Sequence, residues 1–362
     1  MTLIKSISGI RGTIGGQPGN ALTPVDIVKF TYAYCTKLRE RRPKAAGERY
    51  TVVVGKDARI SGEMVENVVC GTLVACGVDV IRAGFASTPT TEMAVILSGA
   101  DGGLILTASH NPRQWNALKL LNEKGEFLSA AEGQAVLDCA ESGDFDFSDV
   151  DHLGTIVDED FTDKHLDKVL ELPYVDVEAV KAAHFTVVLD AINSVGGIIM
   201  PRLLKRLGVK CIELNCDPTG DFAHNPEPLP KNLIDLSETV VRDHADLGIS
   251  VDPDVDRLAF ICENGRLPKK PRYALKGLGC GLCSTSRGYG LFSTSAAFFC
   301  ACAPQRTNAT GCGSSANAAI TASVKLCQPK SLWEFAACAR TERTVLSKNT
   351  PCCAQLGACF RR

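Results

Sequence analysis

The sequence predicts an α/β protein with two consecutive mixed α/β domains, mostly parallel sheets, and an anomalous basic, cysteine-rich tail. Strand-like and helix-like segments alternate up to about residue 265, as they do in βαβ units. A chain of 362 residues is long for one hydrophobic core, which favours two or three domains. The composition changes abruptly near residue 266. We therefore predict domains at residues 1–150 and 151–266, and a tail at 267–362.

The strand and helix patterns of the first domain follow one another closely. Residues 51–55 form a β-branched run that ends at glycine, and residues 63–76 have the apolar spacing of a helix. The remaining segments are a strand at 78–81, a helix at 89–97 with proline in its first turn, a strand at 103–107 and a helix at 130–141. The acidic residues 143–151 indicate a solvated linker.

The second domain repeats the alternation. Its predicted segments are a strand at 185–190, a helix at 197–207, a strand at 209–214, a proline-rich loop at 216–231, a helix at 233–244, and strands at 247–251 and 258–262. Active sites of parallel α/β sheets collect at the carboxyl ends of strands. The polar residues that follow the strands at 103–107 and 247–251 are therefore candidates for function.

Three aspartates follow the strand at 247–251. Asp252, Asp254 and Asp256 place hard oxygen ligands at alternate positions, and a bend would let them converge on one cation. Mg²⁺ fits because it accepts a few carboxylates and keeps positions open for phosphate oxygens. Pro253 stiffens the turn, and Arg257 could hold a phosphate or a carboxylate.

Two other structures are compatible with an acidic segment of this kind. An EF-hand loop would have Glu263 at its twelfth position, but Arg257 stands where that loop requires glycine, which excludes it. A solvated acidic turn without a metal stays open at this point.

The strand at 103–107 leads into a second polar cluster. Ser109 precedes His110, Asn111 and Pro112, and it lacks the G-x-S-x-G frame of a hydrolase elbow. Such a serine is often a helix N-cap, and a helix N-terminus also stabilises phosphate, which suits a phosphoserine. His110 is either a structural hydrogen-bonding residue or a catalyst. Lys119 is either a surface lysine or a group that stabilises phosphate charge or moves protons.

Two glycine-rich segments each carry an arginine. Residues 8–16 are predicted as a loop that bears Arg11, and residues 55–62 form a basic loop after a strand, with Arg59. Either segment could be ordinary turn chemistry.

Together these segments resemble the α-D-phosphohexomutase family, which includes phosphoglucomutase, phosphomannomutase and phosphoglucosamine mutase. The matching motifs, in the family's order and approximate spacing, are Ser8-Gly-Ile-Arg-Gly, Gly55-Lys-Asp-Ala-Arg-Ile-Ser-Gly, Thr107-Ala-Ser-His-Asn-Pro, Asp221-Phe-Ala-His-Asn-Pro-Glu-Pro and Asp252-Pro-Asp-Val-Asp-Arg. The resemblance covers about residues 1–265.

The resemblance implies a phosphohexose mutase, which is an isomerase. A phosphorylated Ser109 would donate its phosphoryl group to a sugar 1- or 6-phosphate of glucose, mannose or glucosamine. The bisphosphorylated sugar would then turn over and return its other phosphate. The implied roles are Mg²⁺ binding by Ser109, Asp252, Asp254 and Asp256, phosphate binding by Arg11, Arg59 and Arg257, and proton transfer by Lys119 or His110. A hexose bisphosphate is implied as activator.

Two other functions stay open. One is a phosphatase with Asp252 as nucleophile, although Asp256 stands where such an enzyme would have threonine. The other is a non-catalytic binder of sugar phosphates.

The tail differs from the rest of the chain in charge and in cysteine content. Residues 267–362 carry a net charge of +11, against −13 for residues 1–266, and they hold ten of the 17 cysteines. The family's third and fourth domains, which contact the sugar and the non-reacting phosphate, have no match there. We interpret the tail as out-of-frame translation that begins near residue 266.

A zinc ribbon is a weaker interpretation of the tail. Cys280 and Cys283 precede Cys300 and Cys302, but the second pair is one residue short and the tail has no histidine. Nucleic acid is not an expected partner, because the basic residues are not interleaved with aromatic ones. No apolar run approaches a membrane span and no signal peptide is evident, so we expect a cytoplasmic protein without a membrane partner.

Overall fold

The computed structural model describes residues 2–6 and 9–267, which form two α/β domains. The strands are β1 (Leu3–Ser6), β2 (Gly9–Thr13), β3 (Tyr50–Lys56), β4 (Val78–Phe85), β5 (Gly102–Leu106), β6 (Trp115–Leu121), β7 (Ile156–Asp158), β8 (Thr186–Asp190), β9 (Lys210–Leu214), β10 (Leu247–Val251) and β11 (Leu258–Cys262). The helices are α1 (Pro24–Arg41), α2 (Gly62–Ala75), α3 (Thr88–Ser98), α4 (Ala130–Ser142), α5 (Thr162–Leu170), α6 (Val177–Ala183), α7 (Gly196–Arg206) and α8 (Ile234–Arg242). The tail interpretations concern residues 268–362, which lie outside the described residues.

The two sheets confirm the predicted mixed α/β class. The first has the strand order β1-β2-β6-β5-β3-β4-β7, and the second has the order β11-β10-β8-β9. Strands β5, β3, β4 and β7 run parallel, as do β10, β8 and β9. The remaining neighbours, β1, β2, β6 and β11, are joined in antiparallel pairs. Because β7 pairs with β4, the first sheet takes in a strand from beyond residue 150.

Helices cover both faces of each sheet. In the first domain, α1, α2 and α4 enclose the larger core around Phe30, Val69 and Leu104, while α3 packs against Val53 and Ile105 on the other face. In the second domain, α5, α6 and α7 cover one face of the sheet and α8 the other. Burial of each such aliphatic or aromatic side chain stabilises the fold by about 1.5–3 kcal/mol. Within the described residues, no helix is both long and apolar enough to cross a bilayer.

The segment that carries Arg11 corrects one expectation. It was predicted as a glycine-rich loop, but Gly9–Thr13 is strand β2, which pairs with β1 and β6; residue 8 lies outside the described residues. The glycines allow close approach of neighbouring chains, since a Cβ on Gly9 would lie 2.5 Å from the carbonyl oxygen of Leu118. A Cβ on Gly12 would lie 2.8 Å from the carbonyl oxygen of Thr2. Sequence alone does not distinguish this use of glycine from a turn.

The domains meet where loops at the carboxyl ends of β3, β5, β8 and β10 come together. Ser194, which is fully buried after β8, donates its hydroxyl to the carbonyl of Pro253 at 2.6 Å. The same oxygen lies 3.4 Å from the amide nitrogen of Ala58 in the first domain. Gly220, at φ +73°, packs so closely on Ala58 that a Cβ would lie 1.8 Å from its carbonyl oxygen. The contact therefore depends on a residue without a side chain.

A substitution at this contact tests the domain arrangement. Gly220→Ala and the control Gly143→Ala both place alanine at a positive φ, +73° and +71°, which costs about 1–2 kcal/mol. Only at Gly220 would the new methyl group meet backbone, because nothing lies within 4 Å of the Gly143 position. We expect Gly220→Ala to lower the free energy of unfolding by at least ~1 kcal/mol more than the control, measured by denaturant titration. Equal losses in the two variants would contradict the contact.

His165 makes stability depend on pH. It lies buried between α5 and α3, its Nδ1 is 3.0 Å from the hydroxyl oxygen of Thr90, and burial lowers its pKa to about 4. The unfolded chain therefore binds this proton first, and stability is lost as the pH falls from about 6.5 towards 4. We expect His165→Gln to remove up to about 3 kcal/mol of that loss, measured by urea titration at several pH values. The exposed His152→Gln should keep the full dependence; an identical dependence in both variants would contradict this assignment.

Candidate active site

The loop between β10 and β11 brings three carboxylates together. Oxygen atoms of Asp252, Asp254 and Asp256 all lie within 4.8 Å of one another, and the first two residues are almost completely buried. Val255 adopts φ 59°, which is rare for a β-branched residue. Its side chain is buried in the second domain's core, and its amide donates to the Asp252 carbonyl at 3.0 Å. This anchoring holds a strained turn that aims the carboxylates inward.

Ser109 lies opposite these carboxylates, in the turn that follows β5. Its hydroxyl donates to Oδ2 of Asp252 at 2.8 Å, across 143 residues of sequence. The turn does not begin a helix, so Ser109 is not the N-cap that the sequence suggested. It adopts φ 48° instead, and its amide donates to the Thr107 hydroxyl at 2.9 Å. The left-handed backbone turns the serine side chain towards the second domain.

Two cationic side chains pair with the carboxylates. Arg257 donates from Nε to Oδ2 of Asp252 at 3.0 Å, and from Nη2 to the Ser109 hydroxyl at 2.5 Å. Lys119, on β6, donates to Oδ2 of Asp254 at 2.7 Å and contacts Asp256 at 3.4 Å. Burial would lower the pKa of Lys119, but the two aspartates outweigh it and raise the pKa above its usual value. Lys119 is therefore fully protonated in this arrangement.

The contact with Arg257 assigns the ring proton of His110 to Nε2. Its Nδ1 lies 2.5 Å from Nη2 of Arg257, and because a guanidinium can only donate, Nδ1 must accept. Burial and the nearby Arg257 charge also lower the pKa of His110. Its remaining ring N–H is free to act as a donor in this tautomer.

Two residues of α3 belong to the site although the motifs did not indicate them. The hydroxyl of Thr88 donates to Oδ2 of Asp254 at 2.7 Å, and its amide donates to the Asp254 carbonyl at 2.8 Å. Burial raises the pKa of Glu92, one turn further on, to about 8. The only signal in the sequence was their position at the start of a helix after a strand, where sites in α/β folds collect.

The structure places Arg11 and Arg59 differently from each other. Arg11 pairs with Ala117 across β2 and β6, so its side chain shares a sheet face with Lys119, two residues on. Its Nε is buried without a hydrogen-bond partner. Arg59, in contrast, is 2% exposed, and its five N–H donors already have protein acceptors. The predicted phosphate contact by Arg59 therefore has no donor left in this structure.

The Asp221–Pro228 part of the sequence forms a loop beside the site. His224 lies 2.8 Å from Oδ2 of the buried Asp190, and the ring of Phe222 lies 5.1 Å from the guanidinium carbon of Arg59. Asp221 pairs with Arg113 of the serine turn at 3.0 Å. The second domain thus contacts the serine turn through this loop as well as through the aspartates.

The carboxylate cluster fits a metal ion. Oδ1 of Asp254 is buried without a hydrogen-bond partner, although the Lys119 charge, outweighing burial, holds the pKa of Asp254 at about 2. Burial and the two neighbouring carboxylates raise the pKa of Asp252 well above its usual value. Three acidic groups face only two cations, and one ionised oxygen lacks a partner. A cation would supply both the charge and the missing contact.

Comparison with known proteins covers both domains. Residues 3–147 match the family model described as phosphoglucomutase/phosphomannomutase, alpha/beta/alpha domain I, and residues 163–265 match that of domain II. A phosphoglucomutase/phosphomannomutase of Thermococcus kodakarensis is 38% identical over 258 residues, which cover 70% of this chain and 55% of the relative. A probable phosphoglucosamine mutase of Methanopyrus kandleri is 34% identical over 264 residues, which cover 72% of this chain and 54% of the relative.

Solved structures agree in fold. A phosphoglucomutase/phosphomannomutase family protein of Burkholderia thailandensis superposes with a TM-score of 0.60 at 27% identity, over 75% of this chain and 57% of the other. A putative phosphomannomutase of Thermus thermophilus superposes with a TM-score of 0.65 at 23% identity, over 76% of this chain and 60% of the other, and it shares the fold. The chain spans about half the length of the curated relatives that it matches. With both domain models matched in order along the described residues, the chain belongs to the phosphoglucomutase/phosphomannomutase family, the α-D-phosphohexomutases.

Proposed function

We propose that this chain carries the phosphoserine half of a phosphohexose mutase that interconverts sugar 1-phosphates and 6-phosphates. The observation that carries the proposal is the position of Ser109, whose hydroxyl lies 2.8 Å from Asp252 and 2.5 Å from Arg257. A phosphoryl group on this oxygen would lie among cationic and metal-binding side chains. Phosphoryl transfer needs little else, since catalysis rests on in-line positioning and neutralisation of the phosphoryl oxygens' charge.

In the proposed half-reaction, the bond between phosphorus and the Ser109 oxygen breaks as a sugar hydroxyl oxygen bonds to phosphorus. A side chain delivers a proton to the departing serine oxygen and takes up the proton that the sugar hydroxyl loses, so the side chain ends in its starting protonation state. Nζ of Lys119 and Nε2 of His110 both carry a proton that they could deliver. The reverse transfer, from the other phosphate of the bisphosphorylated sugar, restores the phosphoserine.

Mg²⁺ is the metal that we assign to the carboxylate cluster. Asp252, Asp254, Asp256 and the phosphorylated Ser109 would hold it, because Mg²⁺ binds through a few carboxylates together with phosphate oxygens. When bound, it would neutralise charge on the transferring phosphoryl group. Arg257 would hold a phosphoryl oxygen directly from its present position beside the serine hydroxyl.

The substrate that we propose is a hexose phosphate of the glucose, mannose or glucosamine class. Arg11 supports only the phosphate part of this assignment, because its Nε has no protein acceptor and its side chain lies on the sheet face that carries Lys119. A hexose bisphosphate is the proposed activator, since it can phosphorylate an unmodified Ser109. These assignments follow the resemblance in the motifs.

The two other functions have less support from the site. Asp252, the nucleophile of the phosphatase alternative, is 1% exposed and already accepts hydrogen bonds on both oxygens. A binder without catalysis would not require a serine hydroxyl held between a carboxylate and a guanidinium.

Magnesium binding by the full chain tests the metal assignment. Asp254→Asn removes the negative charge of the side chain whose Oδ1 lacks a partner, so we expect the affinity for Mg²⁺, measured by isothermal titration calorimetry, to fall about tenfold or more. The control Asp243→Asn removes a partly exposed carboxylate that pairs with Arg242, and it should leave the affinity unchanged. Equal affinities in both variants would argue against the cluster.

Covalent phosphorylation tests the mutase assignment. We expect the full chain, incubated with Mg²⁺ and glucose 1,6-bisphosphate, to gain one phosphate on Ser109 in intact-mass and peptide-mass measurements. Ser109→Ala, which keeps the carboxylates, should gain none. Phosphate trapped on Asp252 would replace this proposal with the phosphatase. Binding of sugar phosphates without any covalent phosphate would replace it with the binder.

A further inference from the structure

The side chain of Arg59 is enclosed by backbone carbonyls of the serine turn. The Arg59 side chain is completely buried, and its Nε donates to Oδ2 of Asp57 at 3.0 Å. Its terminal nitrogens donate to four carbonyl oxygens, those of Ser109, of Asn111 at 2.7 Å, of Pro112 at 2.9 Å and of Trp115 at 3.0 Å. One planar guanidinium therefore gathers the carbonyls of the whole turn between β5 and β6. An ammonium group, with three donors on one nitrogen, could not span them.

The partner of Arg59 holds the other side of the serine. Oδ2 of Asp57 accepts from the hydroxyl of Thr107 at 2.6 Å, and that hydroxyl accepts from the amide of Ser109 at 2.9 Å. Arg59 donates to the carbonyl of Ser109. Asp57 holds the amide of Ser109 indirectly, through the hydroxyl of Thr107. Both peptide groups of Ser109 are thus tied to one buried ion pair.

This attachment explains the conformation of the serine. Ser109 lies at φ 48°, a region that costs a non-glycine residue about 1–2 kcal/mol and persists only where its surroundings enforce it. The hydrogen bonds on its two peptide groups are the contacts that enforce it. They leave the side-chain hydroxyl free to point at Asp252 and Arg257.

The second domain also contacts this ion pair. The ring of Phe222 lies over Arg59, 5.1 Å from its guanidinium carbon. Such a cation–π contact favours a fixed position of the guanidinium. Phe222 belongs to the same loop as Gly220, which packs on Ala58 beside Arg59. The domain that supplies the aspartates therefore also supports the residue that orients the serine.

From these contacts we propose that Arg59 is a positioning residue for phosphoryl transfer: it sets the left-handed backbone of Ser109, and Phe222 of the second domain holds its guanidinium in place. The proposal rests on the proposed mutase function for its kinetic consequence. It assigns Arg59 no contact with substrate phosphate. A displacement of about 1 Å at a reacting atom can cost about a hundredfold in rate. Loss of this positioning would therefore slow the phosphorylation of Ser109 even in a protein that remains folded.

The test compares Arg59→Lys with Arg82→Lys in the full chain. Lysine keeps the positive charge beside Asp57 but loses the planar guanidinium that reaches the four carbonyls. The control residue, Arg82, pairs with Asp158 away from the site. We expect Arg59→Lys to slow single-turnover phosphorylation of Ser109 by glucose 1,6-bisphosphate at least about tenfold. The Mg²⁺ affinity should stay within about twofold of wild type, and Arg82→Lys should leave rate and affinity unchanged.

A spectroscopic measurement accompanies the kinetics and does not depend on turnover. In protein labelled with ¹³C at serine, the Cα and Cβ chemical shifts of Ser109 report its backbone conformation. We expect them to leave the left-handed range in Arg59→Lys and to stay there in Arg82→Lys. If Arg59→Lys fails to fold, Phe222→Leu takes its place, with the same shift change and a severalfold slower phosphorylation.

The outcomes separate this proposal from the mutase assignment. A rate like that of wild type, unmoved Ser109 shifts, or a rate loss that only follows lost folding or lost Mg²⁺ affinity would each overturn the positioning role. If the unaltered chain takes up no phosphate, the mutase proposal fails, and the Ser109 chemical shifts alone test whether Arg59 orients this serine. Moved shifts would then support the role of Arg59 in orienting Ser109, and unmoved shifts would overturn it.

Discussion

The structure depends on compensating three neighbouring carboxylates, two of which are almost completely buried. An unpaired buried carboxylate costs several kcal/mol, so the loop after β10 is stable only with its cations in place. Arg257 comes from the loop itself, but Lys119 comes from the first domain. The Ser109 hydroxyl and Thr88, also from the first domain, donate to the same carboxylates. The electrostatics of one loop therefore fix how the two domains meet.

Local strain at the site is supported by contacts that are remote in sequence. Ser109 and Val255 both adopt positive φ values on the two sides of the cleft. Val255 is held by the apolar core of the second domain, and Ser109 by the Asp57–Arg59 ion pair. Each reactive loop is thus positioned by its own domain, and the loop that contains Gly220 and Phe222 links the two supports. Such preorganisation is what phosphoryl transfer requires, because the chemistry itself needs few groups.

Periodicity and motifs predicted much of this from sequence. The β-branched and apolar runs located β3, β5, β8 and β10, and the alternation gave the mixed α/β class, because those strands are buried on both faces. Strand β2 was missed because its glycines look like a turn, and the antiparallel partner β6 gave no distinct signal. Arg59 was assigned to phosphate because its acceptors are carbonyls 50 or more residues away, which no local pattern shows. Thr88 and Glu92 were missed for the same reason.

The most direct measurement of the central claim is a crystal structure of the full chain with Mn²⁺ and phosphorylated Ser109. The account predicts one anomalous peak within about 2.2 Å of oxygens from both the aspartate loop and the serine phosphate. Arg257 should lie within hydrogen-bonding distance of the same phosphate. A peak away from Asp252, Asp254 and Asp256, or a Ser109 side chain that faces away from them, would contradict the account.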